Sequence, residues 1–162
     1  MRGRKEIVNM ILWSLLAIVI IAFDQLVKLW VVNNIGMTDS IRVIPGMIDF
    51  VYIKNTGAAF SFLANKTYGI IILSLVSLVF CAAVVWYVIK KKPDNKLFML
   101  SLVLMFAGAF ANAIDRIFRG FVIDFIETTF IAFPVFNIAD IAITIGAALL
   151  IVYILFFDKK TD

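Results

Sequence analysis

Long stretches of apolar residues dominate this sequence and restrict the folds that the chain can adopt. Four of them have lengths close to the roughly 20 residues that an α-helix needs to cross the hydrocarbon core of a bilayer. They lie at 7–32, 67–89, 97–115 and 138–157. Hydrophobic residues make up 64% of the chain and charged residues 16%, against roughly 25% charged residues in soluble proteins. We therefore predict an all-α integral membrane protein with four transmembrane helices, a single membrane-embedded domain over 1–162.

The distribution of basic residues predicts the orientation of these helices. Four spans place both termini on one side of the membrane, and that side would carry nine of the fifteen lysines and arginines. Cytoplasmic loops of membrane proteins are enriched in lysine and arginine. We therefore expect both termini in the cytoplasm and the segments 33–66 and 116–137 on the extracytoplasmic side.

The two extracytoplasmic segments have patterns of their own. In 40–54, apolar residues recur at every second position on either side of Pro45-Gly46, a pair typical of the centre of a type II turn. This pattern predicts a small β-hairpin. The second segment, 117–136, combines many phenylalanines with Arg119, Asp124 and Glu127, a mixture that favours a segment lying in the membrane interface.

The residue types present exclude several kinds of catalytic chemistry. The chain has no histidine and a single cysteine, Cys81. Ser-His and Cys-His nucleophiles and the common zinc sites are therefore excluded. Carboxylates, hydroxyls, lysines and arginines remain, and among them an acid inside a membrane span is the strongest candidate, because at a helix centre it costs about 2.5–3.5 kcal/mol.

Three aspartates are expected at one depth of the membrane. Asp115 ends the third span, Asp140 begins the fourth, and Asp24 lies near the outer end of the first. Asn112 and Asn137 each precede an aspartate by three residues, on the same helix face. We expect Asp115 and Asp140 to form an aspartic dyad that activates water, one of them protonated and the other ionised. The positive end of a helix favours Asp140 as the base and leaves Asp115 as the acid.

Simpler and rival interpretations stay open at this point. Each acid alone could be an interfacial residue or a helix cap, and Asp24 could form an ordinary i, i+4 ion pair with Lys28. A Ser-Lys catalyst could combine Ser61 with Lys54 or Lys66. The main rival function is a small ion- or proton-coupled transporter, which would distribute acids across the bilayer. A non-catalytic scaffold protein is the second rival.

Five blocks of sequence, in order, resemble the bacterial lipoprotein signal peptidases (signal peptidase II), which are aspartic endopeptidases of the inner membrane. The blocks are DQLVK at 24–28, NTGAAFS at 55–61, GAFANAIDR at 108–116, GFVIDF at 120–125 and FNIAD at 136–140. They extend from the first predicted span to the start of the fourth. The resemblance implies four transmembrane helices with an extracytoplasmic β-cradle and a short interfacial helix.

The resemblance also implies a function and a set of site residues. The substrate would be a prolipoprotein with a diacylglyceryl-modified cysteine, cleaved on the amino side of that cysteine at the extracytoplasmic face of the bacterial cytoplasmic membrane. The expected partners are this substrate and membrane lipids, with no nucleic acid, metal or organic cofactor. Asp115 and Asp140 would be catalytic. The resemblance implies substrate-binding roles for Asn55, Gly57, Asn112, Arg116, Asn137 and Ala139, and structural support from Asp24, Lys28 and Asp124.

Overall fold

Four helices and three strands make up the computed structural model, which describes residues 2–57 and 67–158. The elements are α1 (Arg2–Asn34), β1 (Ser40–Ile44), β2 (Ile48–Asn55), α2 (Thr67–Lys91), α3 (Lys96–Arg119), β3 (Val122–Thr128) and α4 (Ile138–Phe156). All four helices are long and apolar enough to cross a membrane. The predicted membrane fold with four spans is therefore confirmed. The third helix continues about one turn beyond 115, which places Asp115 inside the helix rather than at its end.

α3 is the central helix of the bundle and packs against α1, α2 and α4. Glycines bring α3 and α4 close together. A methyl group added to Gly108 would collide with the carbonyl oxygen of Ala139, and one added to Gly146 would lie 2.8 Å from the carbonyl oxygen of Ser101. Small residues at helix interfaces allow this approach of the backbones. As a result, the C-terminal half of α3 lies directly against the start of α4.

The strands form one antiparallel sheet in the order β1-β2-β3. β1 and β2 are joined by a tight turn in which the Met47 N–H donates to the Ile44 carbonyl at 2.9 Å. Gly46 has a φ of 73°, the positive value that a type II turn requires at its third residue. The predicted β-hairpin and its turn are confirmed.

The segment at 116–137 contains a third strand that the sequence analysis did not predict. Val122–Thr128 form the third strand of the sheet, and 129–135 contain neither helix nor strand. Ile123 and Phe125 are fully buried in a cluster with Val31 of α1, and Val122, Asp124 and Ile126 on the opposite face of the strand are buried as well. A strand covered on both faces lacks the alternation of apolar and polar residues by which a half-exposed strand is recognised.

The close approach of α3 and α4 can be tested at Gly108. We expect Gly108→Ala to lower the free energy of unfolding by about 1–3 kcal/mol, because overpacking a tight contact forces the backbone to shift. Thermal unfolding of the purified protein in detergent measures this loss. Ala82→Val, at an exposed position of α2, is the control and should leave Tm unchanged. An unchanged Tm for Gly108→Ala would contradict the packing that we describe.

Candidate active site

Charged side chains and two amides are buried together where the C-terminal part of α3 meets α1, β3 and the start of α4. Every buried side-chain nitrogen and oxygen in the described residues has a hydrogen-bond partner, as expected where water cannot take that role. The buried members of this cluster are Asp24, Lys28, Asn112, Asp115, Asp124 and Asn137, and the partly buried members are Arg116, Arg119 and Asp140.

The ammonium group of Lys28 is the central contact of the cluster. Its Nζ lies 2.8 Å from Oδ2 of Asp24 and 2.8 Å from Oδ2 of Asp115, and donates to Oδ1 of Asn112 at 3.0 Å. These three acceptors match the three N–H donors of a lysine. The contact with Asp24 is the i, i+4 pair that the sequence left open as a simple interpretation.

Asp24 also connects α1 to the start of α4. Its second carboxylate oxygen, Oδ1, accepts the backbone N–H of Ala139 at 3.0 Å. That N–H belongs to the first turn of α4, where backbone donors have no partner within the helix. Asp24 and Ala139 therefore fix the position of the residue that follows, Asp140.

Asp115 is surrounded by donors on both carboxylate oxygens. Besides Lys28, it contacts the guanidinium of Arg119, and it accepts hydrogen bonds from Nε2 of Gln25 at 3.0 Å and from the N–H of Ile123 at 3.2 Å. The side chain is fully buried. Opposite charges and donors of this kind stabilise the ionised form of a carboxylate. Through these contacts, Asp115 connects α1, α3 and β3.

Asp140 lies in the first turn of α4 and forms a capping box with Asn137. The Asn137 N–H donates to Oδ2 of Asp140 at 3.1 Å, and the Asp140 N–H donates to Oδ1 of Asn137 at 2.9 Å. The other oxygen, Oδ1 of Asp140, accepts from Nδ2 of Asn112 at 2.8 Å. These donors and the positive end of the helix stabilise a negative charge on Asp140.

The side-chain amide of Asn112 has only one orientation that satisfies its neighbours. Its Oδ1 accepts from Lys28 and from Nδ2 of Asn137, the latter at 3.2 Å. The opposite orientation would direct the NH₂ group of Asn112 toward an ammonium group, which cannot accept a hydrogen bond. Lys28 and Asn137 therefore orient the donor that Asn112 presents to Asp140.

Asp124, on β3, lies next to Asn137, the residue before α4. Among the described residues, its carboxylate accepts side-chain hydrogen bonds only from neutral amides. Its Oδ1 accepts from Nδ2 of Asn137 at 2.6 Å, and its Oδ2 accepts from Nδ2 of Asn55 at 2.7 Å. Burial and the nearby carboxylate of Asp140 raise the pKa of Asp124 to about 6, although the two amides pull the pKa down. Asp124 can therefore carry a proton at a pH at which an ordinary aspartate is ionised.

The charges of the cluster do not balance when every group is ionised. Four carboxylates face three cations, so the fully ionised cluster would carry one net negative charge. Such a charge is expensive in surroundings of low polarity, and one proton removes it. Asp24 and Asp115 contact cations directly. Asp124, whose pKa is raised to about 6 by burial, is the carboxylate best suited to hold this proton. The carboxylates are Asp24, Asp115, Asp124 and Asp140, and the cations are Lys28, Arg116 and Arg119.

The hydrogen bonds among the described residues connect Asp140 differently to Asp115 and to Asp124. Asp115, the expected partner, is connected to Asp140 through Lys28 and Asn112. Asn137, by contrast, makes hydrogen bonds to both Asp140 and Asp124. Asp124, to which the resemblance assigned structural support, is thus the carboxylate that shares its surroundings with Asp140.

The remaining predicted residues border the cluster at the end of β2. The Gly57 N–H donates to Oδ1 of Asn55 at 2.9 Å, and the Gly57 carbonyl accepts from Nη2 of Arg116 at 3.4 Å. The rest of the second sequence block, at 58–61, lies outside the described residues. The same is true of Ser61 and Lys66, on which the Ser-Lys alternative depends.

Two residues of the cluster were not among the predicted site residues. Arg119 follows Asp115 by four positions on α3, and this i, i+4 spacing could have identified it as a partner. Gln25 accepts from Nη1 of Arg119 at 2.9 Å and donates to Asp115. Because Gln25 lies on another helix, far away in sequence, no spacing indicated this contact.

Comparisons with known proteins agree with the membrane fold. Residues 16–156 match the family model described as signal peptidase (SPase) II. The lipoprotein signal peptidase of Lactococcus lactis subsp. lactis (strain IL1403) is 43% identical over 151 residues, which cover 93% of this chain and 97% of the relative. The lipoprotein signal peptidase of Clostridioides difficile (strain 630) is 36% identical over 150 residues, covering 93% and 99%. A solved bacterial membrane enzyme, determined by the in meso method at 2.3 Å resolution, matches with a TM-score of 0.83 and 34% identity, covering 93% of this chain and 92% of that one.

The contribution of the Lys28 ammonium group to the stability of the fold can be tested by removing its charge. We expect Lys28→Met to lower the free energy of unfolding by about 3–5 kcal/mol, because Asp24 and Asp115 would keep buried charges without their shared partner. Chemical unfolding in mixed detergent micelles measures the change. Lys54→Met, which removes an exposed lysine over the rings of Tyr52 and Phe121, is the matched control and should cost far less. Equal losses for the two variants would exclude a special role for Lys28.

Proposed function

The chain belongs to the signal peptidase II family and is a multi-pass bacterial membrane protease of the aspartic type, and on this premise we propose that it removes the signal peptide from prolipoproteins. The scissile bond in this proposal lies on the amino side of a cysteine that carries diacylglyceryl. The observation that carries the chemistry is that Asn137 donates hydrogen bonds to the carboxylates of both Asp124 and Asp140, and that the pKa of Asp124 is raised to about 6.

The two carboxylates have different roles in the proposed reaction. Asp140, whose anion is stabilised at the start of α4, takes a proton from water as the water attacks the scissile carbonyl carbon. Asp124, whose pKa is raised, keeps its proton and donates a hydrogen bond to the carbonyl oxygen as negative charge develops there. The C–N bond then breaks, and the departing amine receives a proton from the pair. This assignment retains Asp140 as the base and replaces Asp115 by Asp124 as the acid.

The other implied site residues divide into two groups by their contacts. Asn112 and Asn137 donate to the carboxylates directly, and Ala139 acts through its backbone bond to Asp24. We propose that these three are positioning residues. Gly57 and Arg116, at the border with 58–66, are better placed to contact the peptide on either side of the scissile bond.

The proposed substrate fits an enzyme whose acids lie near a membrane surface. A signal peptide is an apolar helix, and a diacylglyceryl group stays among the lipid chains, so the bond between them lies close to the bilayer boundary. The buried charged side chains of the described residues form one cluster at the end of α3. A transporter, the rival function, would need such residues along the depth of the bilayer. With both termini in the cytoplasm, as the basic residues indicate, this end faces the extracytoplasmic side.

Cleavage assays with aspartate variants test the dyad. The purified enzyme is incubated with a diacylglyceryl-modified precursor and with the same precursor unmodified, and mass spectrometry identifies the new N-terminus. We expect cleavage of the modified precursor alone, directly before its cysteine. Asp124→Asn and Asp140→Asn should each lower kcat by about 10²–10⁴-fold, because each removes a proton-transfer or proton-donating group.

Asp115→Asn is the matched comparison in the same assay. Because Asp115 is an ion-paired structural anion in our proposal, we expect this variant to lose thermal stability while the folded fraction still cleaves. The reverse result, with folded Asp115→Asn inactive and Asp124→Asn active, would restore the pair that the sequence suggested. Activity in both Asp124→Asn and Asp140→Asn would contradict the dyad altogether.

The pKa of Asp124 predicts the pH dependence of the reaction. If Asp124 must be protonated, kcat/KM falls as the pH rises through its pKa of about 6 in the free enzyme. The Asn55 amide stabilises the anion of Asp124 and so lowers this pKa. Asn55→Ala should therefore raise the pKa and move the alkaline limb of the profile to higher pH. Lys54→Ala, which changes the neighbouring exposed residue, should leave the limb in place. An Asn55→Ala limb that stays in place or moves to lower pH would rule out Asp124 as the acid.

A further inference from the structure

At the opposite end of the bundle from the carboxylates, a cavity of about 680 Å³ opens between the start of α1, the end of α2 and the start of α3. Its size is within the range of small-molecule sites. Lys96 and Asp115 are nineteen positions apart on the same helix, so the cavity lies about 28 Å from the carboxylate cluster. It is therefore separate from the candidate active site.

The cavity exists because α1 and α2 both pack against α3 but have hardly any contact with each other in the described part of the chain. Trp13 and Leu16 of α1 line one side, Val88 of α2 lines the other, and Met99 of α3 closes the inner wall. The same four side chains belong to the apolar cluster around Ala17, Val103 and Ala107. The deep part of the cavity is thus an apolar crevice between two membrane helices.

The rim of the cavity carries a different chemistry. Lys91, Lys92 and Lys96 line it together with one acid, Asp94, so that the rim has a net charge of +2. Lys92 has a φ of 46° at the residue directly after α2, where glycine is the usual choice because it adopts this conformation without strain. The start of α3 adds the positive end of its helix dipole.

An apolar crevice between membrane helices with a lysine rim at the membrane boundary is complementary to one class of molecule. We propose that this cavity binds an anionic phospholipid, with the phosphate on Lys91, Lys92 and Lys96 and an acyl chain in the crevice beside Trp13. Basic pockets between transmembrane helices recognise phosphorylated lipid headgroups by the same chemistry. A zwitterionic phospholipid has the same chains but no net charge for the rim to attract. This proposal depends on the membrane fold and is independent of the dyad assignment.

Trp13 allows the proposal to be tested by fluorescence. Trp30 and Trp86 are exposed, so a Trp30→Phe/Trp86→Phe variant leaves Trp13 as the single tryptophan of the chain. This protein is placed in phosphatidylcholine nanodiscs that contain increasing fractions of brominated phosphatidylglycerol or brominated phosphatidylcholine. We expect brominated phosphatidylglycerol to quench Trp13 fluorescence at a lipid fraction about tenfold lower than brominated phosphatidylcholine requires, because each lysine near the surface attracts an anionic lipid.

Two variants in this background separate a binding site from a basic surface. Lys91→Gln/Lys92→Gln/Lys96→Gln should abolish the tenfold preference, whereas Lys90→Gln/Arg42→Gln/Lys54→Gln, which removes as many charges away from the cavity, should keep it. Val88→Phe narrows the crevice with the lysines intact and should also abolish the preference. Equal quenching by the two lipids would overturn the proposal. A preference that survives Val88→Phe would also overturn it, since headgroups would then gather at the surface without a chain in the crevice.

Discussion

A single buried ammonium group connects most of this structure. Nζ of Lys28 binds carboxylates of α1 and α3 and an amide of α3, and each of these groups continues to another element: Asp24 to the first turn of α4, and Asp115 to the backbone of β3. A cation with no exposed surface requires such compensation, because an unpaired buried charge costs several kcal/mol. The outer surfaces of the helices are uniformly apolar, so hydrophobic burial alone does not determine which helix faces pack together. The ion pairs therefore specify one arrangement of the helices.

The same network gives chemically identical side chains different properties. Asp24 and Asp115 contact cations directly, whereas Asp124 contacts the amides of Asn55 and Asn137 and has a pKa raised to about 6 by burial and by the carboxylate of Asp140. The distance to Lys28 and Arg119, rather than the position of the residue at a membrane surface, determines this difference. An aspartate at the right depth is consequently a candidate for catalysis only when its cationic neighbours leave it free to exchange a proton.

The membrane fold could be predicted from the sequence because it depends on local properties: the lengths of the apolar stretches and the Pro45-Gly46 turn. The same reasoning brought Asp140 and the two asparagines to one place. It failed at β3, because a strand buried on both faces between α1 and the cluster has no alternating pattern, and its phenylalanines favoured an interfacial segment instead. Since Asp124 lies on that strand, its proximity to Asp140 was hidden as well. Whether Asp115 or Asp124 pairs with Asp140 depends on tertiary contacts between residues distant in sequence, such as Gln25 with Asp115.

Electrical neutrality connects the stability of this cluster with its proposed chemistry. Four carboxylates and three cations reach neutrality when they hold one proton, and the two carboxylates without a direct cationic contact are the ones that can share it. An aspartic dyad requires that state, one acid and one base, before substrate binds. A fourth cation next to Asp124 would make the cluster neutral without the proton and would remove the acid. One cation fewer would require a second proton for neutrality and would remove the base. The ratio of charges that allows this bundle to fold around a polar centre is therefore also the ratio that prepares it for hydrolysis.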